Sequence, residues 1–374
     1  MGAEASGLGE LILAKQHSIT SGGWRRGAFM ENENLIIDLQ TSVCDAMRII
    51  DKSDLKILFV ADGKHLIGSL TDGDIRRFLF NGGTLNDQAE KAANHQPRTA
   101  RSLKHASELY NRLYYIAIPV LDDCGNIIDI YVGDELPQKQ QKPLHVPVVI
   151  NAGGKGTRLD PFTRVLPKPL IPVGDLPIIE HIMQQYQKLG CDDFSVIVNY
   201  KKELIKTYFR ESENQYKVTW YDETTPLGTG GGLSLLKGKL SSTFFFTSCD
   251  TLLLSDYESM LRFHRENGNA VTMICAWKNV TIPYGIVEMG KNGAIEQMRE
   301  KPELSFLTNT SIYIVEPEVV EEIPDQTPIT FPEVIQAQLD HGRKAAVFPV
   351  SESEWLDMGQ LSELEKMRER LYGR

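Results

Sequence analysis

Several features that announce a protein class are scarce or missing in this sequence. It has only five cysteines (Cys44, Cys124, Cys191, Cys249, Cys275), an odd number, scattered and without a CxxC pair. That usage argues for reduced thiols and against a disulfide framework or a zinc site. No apolar run approaches the length needed to cross a bilayer. Positive charge is short as well: 40 Lys and Arg against 50 Asp and Glu leave a formal charge of −10. A dedicated nucleic-acid binder would carry the opposite balance on one face. These absences predict a cytoplasmic protein with neither a nucleic-acid nor a membrane partner. What remains is ordinary globular material, 41% apolar and 24% charged, in 374 residues that allow two or three domains.

Two common glycine motifs are also missing from the one stretch that invites them. Residues 146–173 read VPVVINAGGKGTRLDPFTRVLPKPLIPV. A P-loop needs Ser or Thr after its lysine, but Lys155 is followed by Gly156; the dinucleotide fingerprint needs a third glycine where Leu159 stands. The stretch itself begins with an apolar, β-branched run (Val146, Val148, Val149, Ile150) that predicts a buried strand. It empties into Gly153, Gly154 and Gly156, where a backbone without Cβ turns sharply and aims free N–H groups at an anion. Arg158 then offers a bidentate fork for phosphate, and Lys168 a point charge stiffened by Pro167 and Pro169. A strand, a glycine turn and two cations form a clamp for a nucleoside triphosphate.

Beyond the clamp, strands alternate with helical segments, the pattern of an α/β domain with a mostly parallel sheet. Strands are predicted at VPVVINA, FSVIVNY, YKVTWYD, TFFFTSCD and AVTMICAW, and helices at 176–189, 202–211, 231–236 and 257–267. Asp250 ends one apolar strand, where a carboxylate needs a partner; beside a triphosphate, Mg²⁺ suits it.

The string G-G-x-G-T-R-L, then Pro and Thr, then Pro-Lys-Pro, present in order from Gly153 to Pro169, resembles the signature of the sugar-1-phosphate nucleotidyltransferases. The resemblance implies a Rossmann-like (GT-A-like) nucleotidyltransferase fold over residues 146–374. It implies phosphate contacts from Gly153, Gly154, Gly156 and Thr157, with Arg158 and Lys168 as catalytic cations. It makes Asp250 the first metal ligand and Asp357, in Trp355-Leu-Asp-Met-Gly359, the second. The loop from Pro226 to Gly232 resembles the family's base-recognition loop, with Gly228 and Thr229 at the base. Tyr284 and Gly285, then Glu300 and Lys301, resemble the sugar side, where the lysine holds the sugar phosphate. Asn309 opens an Asn-x-Gly-x-Tyr string in which Ser311 replaces the glycine, a departure that touches sugar identity.

The N-terminal third reads as two copies of one unit. The first has a helix from Ser42 to Asp51, the strands KILFVAD and HLIGSLT around Gly63, and a helix starting near Asp74. The second has a helix over Ser102–Leu113, then IAIPVLDD and NIIDIYV around Gly125. This arrangement resembles a small α/β cystathionine-β-synthase (CBS) domain pair over residues 31–136. The resemblance makes an adenine nucleotide the ligand, with Thr71 on its phosphate and Asp74 on its ribose. The second copy departs from the pattern at Asp129, Val132 and Glu135, which leaves at most one competent site; a pair kept for dimerisation alone is the alternative. Residues 1–30 read as a disordered extension, and 137–145 (PQKQQKPLH) as a linker.

The expected reaction joins an NTP and a sugar 1-phosphate, with Mg²⁺, into a nucleoside-diphosphate sugar and pyrophosphate. The paired prolines around Lys168 resemble the guanylyltransferase branch, which favours GTP and a mannose-, glucosamine- or heptose-type 1-phosphate destined for surface glycans. The alternatives are the same reaction with UTP, CTP or dTTP, or an inactive nucleotide-sensing subunit on the same fold. A homo-oligomer is compatible with either.

Overall fold

The structure, a computed structural model, describes residues 35–53, 55–113, 117–132, 142–212 and 216–372. The expected N-terminal extension, Glu135 and residues 137–141 of the expected linker lie outside the described residues.

The N-terminal part runs β1 (Ile36–Ile37), α1 (Val43–Lys52), β2 (Ile57–Asp62), β3 (His65–Thr71), α2 (Asp72–Phe80), α3 (Leu103–Leu113), β4 (Ala117–Leu121) and β5 (Ile127–Val132). Both hairpins turn on a left-handed glycine, Gly63 at φ 61° and Gly125 at φ 84°. The halves meet where Leu66 N–H donates to Gly125 O (3.1 Å) and Ile127 N–H to Lys64 O (2.8 Å). Leu35, Ile57 and Phe59 of the first half and Ala117 and Ile130 of the second share one apolar cluster.

The larger part runs β6 (Val148–Ala152), α4 (Phe162–Val165), β7 (Pro172–Val173), β8 (Leu176–Pro177), α5 (Ile178–Lys188), β9 (Asp193–Val198), α6 (Lys202–Glu211) and β10 (Lys217–Asp222). It continues with β11 (Phe244–Ser248), β12 (Thr251–Leu253), α7 (Tyr257–Asn267), β13 (Val271–Thr281), β14 (Ile286–Met289), β15 (Ile295–Arg299) and β16 (Glu303–Val315). It ends with α8 (Pro317–Glu321), α9 (Phe331–Asp340), β17 (Ala345–Val350), β18 (Trp355–Asp357) and α10 (Leu361–Tyr372). Seven strands form one sheet in the order β10-β9-β6-β11-β16-β13-β17. Every neighbouring pair is parallel except the two that β16 makes.

Both faces of that sheet are covered, which is why its central strands β6 and β11 are buried along nearly their whole length rather than alternating. Val148 and Ile150 point into a cluster with α5 and α7. Val149 between them points into the opposite cluster with Phe244, Phe246 and α9. The expected helix over 176–189 starts at Ile178, because Leu176-Pro177 first makes a short strand. The expected helix at 231–236 is a run of 3₁₀ turns. The described end of the expected linker, from Lys142, has no regular structure and is fastened to the domain, Leu144 N–H donating to Leu189 O (2.8 Å).

Candidate active site

Chain order puts β9 and β10 on one side of β6 and β11 on the other, so the strand order reverses between β6 and β11. Ligands of such sheets bind in the crevice outside the carboxyl ends at that reversal. From the end of β6, Asn151 accepts a hydrogen bond from Gly153 N–H (3.3 Å) and donates to Thr229 O (3.4 Å), tying the two glycine-rich loops together. Gly156 is left-handed at φ 67°, and a Cβ there would stand 2.9 Å from Thr163 Cγ2. A Cβ on Gly154 would meet nothing within 4 Å, so that backbone faces open space.

The end of β11 carries the densest charge. Lys168 and Asp250 are 9% and 7% exposed and form a direct ion pair, and the Ser248 hydroxyl donates to the other Asp250 oxygen. Strand β12 continues from Asp250 and pairs antiparallel with β18, setting Thr251 opposite Asp357. Met358 N–H donates to Asp250 O (2.8 Å) and the Trp355 indole to Thr251 Oγ1 (2.8 Å), which fixes the register. Burial and the Asp250 charge push the Asp357 carboxyl up; Lys168 and Arg158 pull it down. Two carboxylates and two cations, distant in sequence, therefore share one field. Gly359 is glycine because a Cβ would lie 2.5 Å from Asp357 Oδ2.

The loop after β10 is held by its own contacts. Gly228 is left-handed at φ 80°, and its tight approach is to Ile329 O, 2.6 Å from a hypothetical Cβ. Thr229 Oγ1 accepts from Phe331 N–H (3.0 Å). These residues hold the loop against the segment leading into α9. Glu223, at the carboxyl end of β10, went unnoticed in the sequence. It is buried between the two glycine loops: a Cβ on Gly153 would lie 2.6 Å from its Oε2, and one on Gly232 2.7 Å from its Oε1. Oε1 has no hydrogen-bond partner among the described residues, and burial pushes the carboxyl up to about 7 against the Leu227 N–H.

On the expected sugar side, Gly285 and Glu300 adjoin: a Cβ on Gly285 would stand 2.9 Å from Glu300 Oε2. Tyr284 and Lys301 are exposed, Lys301 with a left-handed backbone (φ 41°). Ser311 takes the left-handed conformation (φ 62°) that glycine would adopt freely, and its N–H donates to Asn309 Oδ1 (2.9 Å). Asn309 in turn donates to the Tyr313 hydroxyl (2.7 Å). Strand β16 pairs Ile312 with Thr247, so this bulge lies beside the end of β11 where Asp250 begins. Thr71 and Asp74 form a capping box on α2, with Thr71 N–H and Oγ1 both donating to Asp74 Oδ2 (2.9 and 2.6 Å). The other Asp74 oxygen is paired with Arg77.

The nucleotidyl transferase family profile matches residues 147–372, and the CBS domain profile matches residues 27–81. The chain belongs to the nucleotidyl transferase family. Its nucleotidyl transferase domain is 33% identical over 225 residues to mannose-1-phosphate guanylyltransferase 1 of Arabidopsis thaliana, covering 57% of this chain and 61% of that protein. It is 32% identical over 222 residues to the mannose-1-phosphate guanyltransferase of Schizosaccharomyces pombe, covering 57% and 60%. The chain thus spans about three-fifths of the length of these curated relatives. Among solved structures, HddC from Yersinia pseudotuberculosis is similar over 60% of this chain and 99% of its own, at 21% identity and a TM-score of 0.48.

For a divalent metal, this nucleotidyl transferase offers two carboxylates. Among the described residues no group of three or more His, Cys, Asp or Glu is gathered that could hold an ion. A pair of carboxylates in the field of Lys168 and Arg158 fits an ion that takes its remaining ligands from phosphate and water. No helix among the described residues is long and apolar enough to cross a membrane.

Proposed function

We propose that this nucleotidyl transferase moves a guanylyl group from GTP to a sugar 1-phosphate of the mannose 1-phosphate class, releasing pyrophosphate. The observation that carries the reaction is the buried Lys168–Asp250 pair beyond the carboxyl end of β11, with Asp357 of β18 opposite the adjoining Thr251 and Arg158 nearby. The chemistry is dominated by charge. An anionic sugar phosphate oxygen attacks the α-phosphorus, the bond to the pyrophosphate oxygen breaks, and the pyrophosphate leaves with the electron pair. The nucleophile is already ionised, so no general base is required. Arg158 and Lys168 offset the charge that grows on the leaving group, and the backbone N–H groups at Gly153 to Gly156 orient the phosphates. Asp250 and Asp357 would hold Mg²⁺, which when bound neutralises phosphate charge. Lys301 would engage the sugar phosphate, with Tyr284, Gly285, Glu300 and Asn309 around the ring.

The base preference rests on Glu223 and on the names of the relatives. A carboxylate offers two acceptors and no donor; guanine alone among the common bases presents two adjacent donors, N1–H and N2–H₂, on one edge. Uracil and thymine present a single donor, N3–H, flanked by two carbonyls that a carboxylate repels. Pyrophosphate release from GTP, UTP, CTP and dTTP, each with mannose, glucosamine and heptose 1-phosphates, tests the reading. GTP with mannose 1-phosphate is expected to lead the matrix. Faster turnover with UTP, CTP or dTTP removes the guanylyl assignment, and faster turnover with another sugar phosphate removes the sugar.

A further inference from the structure

Helix α2 carries Asp72, Arg76 and Phe80 at i, i+4 and i+8, one stripe along one face. The stripe is the face on which the N-terminal domain meets the nucleotidyl transferase domain. Phe80 stacks on Phe263 of α7 (centroids 4.5 Å apart, 18° between planes). Arg76 Nε donates to Pro349 O (3.0 Å), and its guanidinium lies 4.3 Å over the Phe348 ring. Burial pulls on that guanidinium while the charges of Asp72, Glu354 and Asp256 favour it; burial also pushes the Asp72 and Glu354 carboxyls up. From α1 and its exit, Asp51 accepts from Ser351 Oγ and Lys56 Nζ donates to Ser353 Oγ (3.3 Å).

The groups that Arg76, Asp51 and Lys56 hydrogen-bond across the joint all lie in one segment, Phe348 to Glu354, while Arg48 pairs separately with Glu303 of β16 (2.8 Å). That segment leads without a break into β18 and Asp357. The turn at 352–354 is itself capped, Ser351 N–H donating to Glu354 Oε2 (3.1 Å), and Glu354 O accepts from Leu254 N–H (2.8 Å) on the Asp250 side. The gap between the domains lined by Asp72, Arg76, Trp277 and Ser351 is only ≈ 20 Å³, water-sized at most. The contact is a packed joint rather than a ligand pocket.

We propose that Arg76 is a positioning residue for nucleotidyl transfer: from the neighbouring domain it fixes the Pro349–Glu354 turn, and so the strand that sets Asp357 opposite Thr251, next to Asp250. The N-terminal domain is then part of the catalytic scaffold whether or not it holds a ligand of its own. The inference rests on the metal reading of Asp357. Direct partners of metal ligands change metal affinity or activity by about 10- to 100-fold when removed, and Arg76, acting further out through the Pro349–Glu354 turn, is expected at the lower end. The test uses the full chain. Mn²⁺ binding in the presence of GTP is followed by electron paramagnetic resonance, beside pyrophosphate release as a function of Mg²⁺. Arg76→Ala is expected to weaken Mn²⁺ binding about tenfold or more and to lower kcat, with the sugar-phosphate KM little changed. Arg76→Lys keeps a charge but not the planar fork and stack, and is expected to restore less than half of the loss. Should the alanine variant not fold, Arg76→Met keeps the stem against Phe348 and is expected to lose Mn²⁺ affinity in the same way. Asp357→Asn is the control. If it loses Mn²⁺ while folded Arg76 variants bind and turn over as wild type, the positioning role is overturned and the metal reading stands. If Asp357→Asn binds Mn²⁺ as wild type does, both fall.

Discussion

At Lys168 and Asp250 two opposite charges lie almost out of water, each compensating the other. Removing one strands its partner, which typically costs about 3–5 kcal/mol of stability. Asp250→Asn should therefore lose both stability and at least roughly a hundredfold in kcat, about 3 kcal/mol of transition-state stabilisation. The double variant Lys168→Met with Asp250→Leu leaves no charge stranded. It should regain most of the stability in urea unfolding and none of the turnover. Recovery of turnover would remove the pair from the chemistry. Glu223 poses a different balance, because its carboxyl is raised from 4.5 to about 7. Its charged form is disfavoured in the folded chain, so the penalty is full above pH 7 and is relieved as pH falls toward 4.5. Above pH 7 the Glu223→Gln variant should be more stable than wild type by about 2–3 kcal/mol, an advantage that fades as the pH falls to 4.5. The kcat/KM for GTP should fall below pH 7 in wild type, since the protonated acid loses an acceptor. A flat pH profile in GTP titrations takes Glu223 off the base.

Among the elements, strands β6, β9, β10, β11 and β13 and the helices α1, α5, α6 and α7 were legible because period and length agree there, with a cap as well at α1 and α7. Ser42, for instance, caps α1 by accepting from Asp45 N–H (3.0 Å). Strand β16 was not legible: Asn309, Thr310 and Ser311 interrupt its apolar run at a bulge against Ile274 and Cys275. The β14–β15 hairpin was missed for a similar reason, since it lies outside the main sheet and is exposed on both strands. The pairing of Asp250 with Asp357 came from family resemblance, because no local pattern reports a contact across 107 positions (357 − 250). Glu223 had a readable signal, a carboxylate at a strand's carboxyl end before a glycine loop, that was overlooked. Thr71 and Asp74 carry a warning about spacing. The same Thr-x-x-Asp that suits a nucleotide also forms the capping box of α2. Thr71→Ala should lower the stability of the N-terminal domain by about 1 kcal/mol in denaturant unfolding. An unchanged midpoint would mean the box does not hold α2.

Across the whole molecule, the two faces of the large sheet bury separate apolar clusters, and the N-terminal domain brings small clusters of its own. Each part has the interior of an independent folding unit. They are joined through a few long-range contacts, and Arg76 reaches a carbonyl 273 positions further on. During synthesis that separation becomes a waiting time. At about 5–20 residues per second, roughly 14–55 s pass between the emergence of Arg76 and that of Pro349. Through that interval the face bearing Asp72, Arg76 and Phe80 stands in water beside the growing chain. An all-apolar stripe would invite adhesion to nascent neighbours, whereas a charged pair flanking one aromatic ring keeps the face hydrated until its receptor arrives.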